Sequence, residues 1–268
     1  MDFHTIKFEE PELGIGLIKL NRPDCLNALS MDMVEELHVL FSQLYNQEGV
    51  RVLVITGEGR GFCSGADLKD QRAIRPELTS NLSGAPGTLI AIQKKYSGLI
   101  VEMRRLPQPI IAAVNGVAAG GGMCIALASD VIIASPEATF IASFINLGLS
   151  GGELGTTYFL PRLIGSVRTA EILMTGRTVD AIEAEKIGLV NRVVKKEVLV
   201  DSAMETARIM ISKNPIGLRL TKEALNQNID ATYLEAAIEL ESRNQTICSS
   251  PGSPEFIKAV EAFVNKRK

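Results

Sequence analysis

The chain has 268 residues, of which 46% are hydrophobic and 22% charged, with a formal net charge of −3. That length can bury a sizeable core, the composition is that of an ordinary globular protein, and the charge argues against a general nucleic-acid binder. Cys25, Cys63, Cys124 and Cys248 are too far apart to form a metal-like pair, and neither His4 nor His38 sits in a glycine loop. A reduced compartment with no metal site and no histidine-based triad is therefore expected. Met1–Thr5 shows no leader pattern and no apolar run is long enough to span a bilayer, so the expectation is a cytoplasmic protein without membrane contact.

In chain order, alternation predicts strands near Phe3–Glu9 and Gly14–Leu20, followed by a turn at Arg22-Pro23-Asp24. Ser30 reads as the N-cap of a helix to about Tyr45, with Val34, Leu37, Phe41 and Leu44 on one face and Asp32 in the first turn. Gly49 closes that unit. Val52–Thr56 and Ile110–Val114 are continuous apolar runs of the kind buried on both faces of a sheet. Between them, Arg75–Gly87 is rich in Pro, Gly, Ser and Asn without a period. It reads as a loop able to fold over a ligand, or as a plain surface insertion. Short strands are predicted at Val131–Ala134 and Ala138–Ile141, and Asp180 caps a helix running to Gly188. Helices follow at about Lys196–Lys213, Pro215–Gln227, Ala231–Ile247 and Pro254–Val264, so residues 1–195 form a core and 196–268 a helical C-terminal region.

Two glycine-punctuated loops follow the apolar strands. The first, Gly57–Asp67, ends in Ser64-Gly65-Ala66-Asp67; the second, Asn115–Met123, contains Gly120-Gly121-Gly122 where a helix begins. A helix N-terminus leaves its first N–H groups without partners, and glycine lets a ligand oxygen approach them. Such loops suit an anion or a developing oxyanion; tight packing of a strand-to-helix turn is the alternative reading.

Together with Leu20-Asn-Arg-Pro-Asp-Cys-Leu-Asn-Ala-Leu29, these blocks resemble the enoyl-CoA hydratase/isomerase, or crotonase, superfamily. The segments Leu160–Gly165, Leu173–Arg177 and Ala184–Arg192 extend the resemblance over nearly the whole chain. It implies an α/β fold, a crotonase-like spiral of ββα units with a helical C-terminal oligomerisation region, assembled as a homotrimer or a dimer of trimers. The C-terminal faces Leu234-Ala237-Ile238-Leu240 and Phe256-Val260-Phe263 are compatible with that assembly and equally with an intrachain core.

The resemblance also implies an acyl-CoA thioester substrate, with coenzyme A entering as part of it and no separate cofactor. The thioester carbonyl would lie on the N–H groups of Ala66 and Gly121, and the acyl-CoA along Arg22, Leu26, Ala28, Ser64, Asp67, Leu68, Gly120 and Phe144. Lys19, Arg22, Lys69, Arg72, Lys94 and Lys266–Lys268 could meet its phosphates, or could be solvated surface charges. Acyl selectivity would rest on Gln71–Gly87 and Phe140–Phe144.

Hydratases of the family carry two glutamates, at positions that fall here on Cys124 and Phe144, so a two-carboxylate hydration is not supported. Glu153, in Gly148–Arg162, resembles the single glutamate of Δ3,Δ2-enoyl-CoA isomerases and is the candidate sole acid/base; stabilisation of the following helix is the alternative. Glu137, Asp130 and Asp67 read as a turn residue and two structural hydrogen-bonders. Isomerisation is therefore placed slightly ahead of hydration. A catalytically silent acyl-CoA-binding or RNA-associated protein of the same fold is the reading from another class.

Overall fold

The structure is a computed structural model that describes residues 3–70, 72, 85–250 and 254–265. Nine strands are present among these: β1 (Ile6–Glu12), β2 (Ile15–Leu20), β3 (Val52–Gly57), β4 (Ile110–Val114), β5 (Val117–Ala119), β6 (Val131–Ala134), β7 (Thr139–Ile141), β8 (Thr178–Asp180) and β9 (Arg192–Val193). The helices are α1 (Met31–Tyr45), α2 (Ala85–Arg105), α3 (Gly121–Ala128), α4 (Thr156–Ile164), α5 (Ser166–Thr175), α6 (Ala181–Ile187), α7 (Leu199–Ile211), α8 (Pro215–Asn228), α9 (Leu234–Cys248) and α10 (Pro254–Asn265).

The main sheet has the order β1-β2-β3-β4-β6-β9, with β1 antiparallel to β2 and every other pair parallel. A smaller sheet, β5-β7-β8, lies beside it. Apolar residues cover both faces of the central strands, and their alternation sorts them into two cores. Leu53 and Ile55 face the layer of α1, α2 and α3, while Val52 and Val54 face Leu199, Ala203, Met204 and Ala207 of α7. The first helix of the C-terminal stretch is thus a layer on the sheet.

Ser30 caps α1 by accepting from the Met33 N–H (3.3 Å), and Asp180 caps α6 by accepting from Glu183 (2.8 Å). The first strand lies further along than its alternation indicated. An edge strand tolerates Pro11, and a register shift between Glu9 and Glu12 absorbs it. Residues 75–84 of the expected loop lie outside the described residues. Its last three residues instead open α2, where a proline in the first turn has no N–H to leave unpaired. The periodic pattern at Lys196–Lys213 divides into a short 3-10 turn, Lys196–Val198, and α7, and α9 starts at Leu234 rather than Ala231. No helix among the described residues is long and apolar enough to cross a membrane.

Candidate active site

Parallel registry brings the functional loops together. Leu20 pairs with Gly57 and Thr56 with Ala113, so the segments after β2, β3 and β4 all leave from the carboxyl edge of the sheet, the usual ligand side of parallel α/β sheets. Two left-handed residues, Leu26 (φ 53°) and Asn27 (φ 55°), turn the first segment back. The buried Asn27 amide holds the turn by donating to Glu58 O (2.9 Å) and Gly61 O (2.8 Å).

Residues 61–67 thread between this segment and β5. Cys63 N–H donates to Val117 O (2.9 Å), Ser64 N–H to Leu26 O (2.9 Å), and Asp67 N–H to Leu29 O (3.0 Å); Leu29 N–H in turn donates to Gly65 O (2.8 Å). These bonds step over Ala66, whose own N–H donates no backbone hydrogen bond among the described residues. Gly121 is the first residue of α3, where the backbone N–H has no partner within the helix.

The two donors are neighbours because glycine permits it. A Cβ on Gly65 (φ 91°) would stand 2.8 Å from Ala119 O and 3.4 Å from Gly121 N, and one on Gly122 would stand 2.0 Å from Cys63 O. Any side chain at Gly122 would force the loops apart. Two unengaged N–H groups in adjacent loops, one exposed at Ala66 and one buried at Gly121, form an arrangement able to bind an oxyanion.

The other candidates fall around this pair. Arg22 is committed to the loop: Nη1 donates to Ala28 O (2.6 Å) and Nη2 pairs with Asp67 (2.8 Å). Burial would raise the Asp67 pKa, but the Lys69 N–H and the Arg22 guanidinium outweigh it and hold the carboxyl below its ordinary value. Ser64 Oγ donates to Cys25 O (3.2 Å). Ala28 is buried and Leu68 exposed. The Phe144 ring packs against the core and would lie 3.6 Å from a Cβ on Gly120. A cavity of about 500 Å³ opens beside this cluster, lined by Arg22, Ser30, Asp67, Lys69 and Arg72 among others. Lys19 pairs with Glu9, and Arg72 with Asp32, while Lys266–Lys268 lie outside the described residues.

Glu153 stands at a corner where Leu154 (φ 45°) and Gly155 (φ 87°) are both left-handed, just before α4. Thr156 Oγ1 accepts from Glu153 N–H (3.0 Å), and Cys124 Sγ of α3 donates to Glu153 O (3.7 Å). The Leu154 side chain would lie 3.6 Å from a Cβ on Gly121, which places the corner against the glycine helix. Its carboxylate accepts at Oε1 from the Leu154 N–H (3.0 Å) and from Gln93 Nε2 of α2. Sequence reasoning missed Gln93, because nothing local distinguishes one exposed glutamine on a helix.

Neither thiol can act as a base near neutrality. Burial pushes Cys63 up to about 12; burial, then the charges of Glu153 and Cys63, push Cys124 higher still. Asp130 is structural, accepting from Ile110 N–H (2.8 Å) and pairing with Arg104 and Lys222. Among the described residues no cluster of His, Cys, Asp or Glu could hold a metal ion.

The profile of the family "Enoyl-CoA hydratase/isomerase" matches residues 10–268. A probable enoyl-CoA hydratase of Mycobacterium bovis is 44% identical over 237 residues, covering 88% of this chain and 82% of that protein. The 1,2-epoxyphenylacetyl-CoA isomerase of Escherichia coli is 35% identical over 256 residues, 96% of this chain and 94% of that one. The crystal structure of a probable enoyl-CoA hydratase/isomerase from Mycobacterium abscessus superposes with a TM-score of 0.90 at 37% identity, covering 98% of this chain and 97% of that one.

Proposed function

The chain belongs to the enoyl-CoA hydratase/isomerase family and is an acyl-CoA enzyme; from that premise we propose that it shifts the double bond of β,γ-enoyl-CoA thioesters, with Glu153 as its single acid/base. The thioester carbonyl oxygen lies on the N–H groups of Ala66 and Gly121. The Glu153 carboxylate removes the α proton, and the electron pair moves onto the carbonyl oxygen as an enolate held by the two donors. Losing one such donor typically costs on the order of 3 kcal/mol of transition-state stabilisation. The enolate collapses with the double bond moved to α,β, and protonated Glu153 returns the proton at the γ carbon. Coenzyme A enters with the substrate, and no metal or dissociable cofactor takes part.

The observation that carries this reading is the division of side chains around the glycine helix. The residue three beyond Gly121 is a buried thiol with a raised pKa, Phe144 does not titrate, and Asp67 is tied to Arg22 and the Lys69 N–H. Glu153 belongs to the corner that packs against the same helix, through its backbone carbonyl on Cys124 and through the Leu154 side chain. The names of relatives include both hydratases and isomerases and do not decide between them.

We take the working assembly to be a homotrimer or a dimer of trimers. Leu234 (70% exposed) and Ile238 (48%) lie on the surface of the single chain, and the C-terminal faces add nothing to either core. The chemistry is tested by incubating a panel of 2- and 3-enoyl-CoA thioesters with the enzyme in heavy water and weighing the products. Double-bond migration is expected, with solvent label at the γ carbon to the extent that the Glu153 proton exchanges before it is returned. Addition of water alone would replace the reading with a one-carboxylate hydratase, and binding without α exchange with a silent acyl-CoA binder.

A further inference from the structure

Glu153 is held from two directions. Within its own corner the backbone is fixed by Thr156 and Cys124, and the Leu154 N–H donates to Oε1 at 3.0 Å. The other contact comes from a different layer: Gln93, on α2 and 60 residues earlier, donates Nε2–H to the same Oε1. Both donors fall on one oxygen, and Oε2 has no partner among the described residues. The terminal torsion of a glutamate is broad and roughly two-fold, so an unrestrained carboxylate would present either oxygen to a substrate. Two donors from two elements remove that freedom.

Resting on the reading of Glu153 as the acid/base, we propose that Gln93 is its positioning residue, holding Oε1 so that Oε2 alone takes and returns the proton. The arrangement suits both halves of the reaction. When Oε2 accepts the α proton, the α C–H bond breaks, the Oε2–H bond forms, and the electron pair passes to the thioester as enolate. Oε1 is then the carbonyl oxygen of a neutral acid and still accepts from Gln93 and Leu154, so neither donor has to reorganise. In the second half the Oε2–H bond breaks and the γ C–H bond forms. The ionised carboxylate accepts only, which sets the orientation of the amide: its nitrogen, not its oxygen, faces Glu153.

Gln93 is exposed, so its replacement leaves the core packing alone. The test measures kcat and KM at neutral pH for Gln93→Leu and Gln93→Glu on the 3-enoyl-CoA that the wild type isomerises best, with Glu153→Gln in parallel. Leucine offers no donor, and a second carboxylate accepts only and repels the first. In Gln93→Leu kcat should fall by about tenfold, with KM within about twofold of wild type. The fall in kcat should be larger in Gln93→Glu. A kcat that stays at the wild-type value in both variants, or a fall in kcat matched by a rise in KM, overturns the proposal, because a misplaced base slows the chemical step without loosening the grip on the thioester. If Glu153→Gln loses turnover while both Gln93 variants keep theirs, only the role of Gln93 fails. If Glu153→Gln keeps its turnover, the acid/base reading and this inference fail together.

Discussion

At the scale of single residues, neighbours assign the acid groups their work. Glu153 sits in a corner packed against the glycine helix through its backbone carbonyl and Leu154, with its carboxylate on the Leu154 N–H and Gln93, whereas Asp67 is spent on Arg22 and the Lys69 N–H. Glu153→Gln keeps size and hydrogen-bonding capacity but loses basicity. Turnover is expected to fall by roughly 10²-fold or more with thioester affinity little changed, as read by steady-state kinetics and calorimetric titration. Were the residue only a helix stabiliser, about 0.3–1 kcal/mol of stability would be lost instead, with turnover intact. Asp67 makes the opposite kind of prediction. Its folded-state pKa is lowered, because the Lys69 N–H and Arg22 outweigh burial, so its contribution to stability is complete above the ordinary aspartate value of about 3.9 and is lost as pH falls through the folded-state value. Asp67→Asn should therefore cost about 1–2 kcal/mol near pH 7, and denaturant titrations should show the gap to wild type closing as pH falls below about 4.

At the scale of elements, α8 is bolted to the core by a buried charge. Lys222 is 4% exposed; its Nζ pairs with Asp130 (2.9 Å) and donates to Gln108 O (2.8 Å) and Met103 O (3.3 Å). Burial lowers its pKa, and the Asp130 carboxylate opposes that shift. Removing one partner of such a set strands the others. Lys222→Ala is expected to destabilise the chain by about 3 kcal/mol, at the lower end for a broken buried pair because Arg104 still neutralises Asp130. A chemical-denaturation midpoint equal to wild type would show that α8 docks without the charge. The sequence marks Asp130 as a structural hydrogen-bonder, whereas its partner Lys222 lies on a helix far along the chain and is brought to it only by the fold.

At the scale of the whole molecule, the two cores leave the far C-terminal helices with apolar surface on the outside. An assembly that covers this surface would contribute the burial that a single chain forgoes. Ile238→Asp is expected to shift the mass seen by light scattering from trimer, or its multiple, toward smaller species at micromolar concentration. An unchanged mass would place the subunit interface elsewhere, and a wild type that is only monomeric would remove the assembly altogether.

The amino-acid sequence by itself determined what depends on near neighbours along the chain. The apolar runs of β3 and β4, the caps Ser30 and Asp180, and the glycine blocks around Gly65 and Gly121 are all set by alternation, capping chemistry and the absence of a Cβ, and each was readable in place. Those blocks were also enough to reveal the family. Only the tertiary structure decided what depends on residues distant in sequence. Parallel registry carries the loops after β2, β3 and β4 to one edge of the sheet, the Leu29 and Ala66 backbones run side by side, and α2 delivers Gln93 to Glu153. No local propensity marks such pairs, because the free energy that holds them is gained only when separate elements pack, and it is lost whenever they come apart.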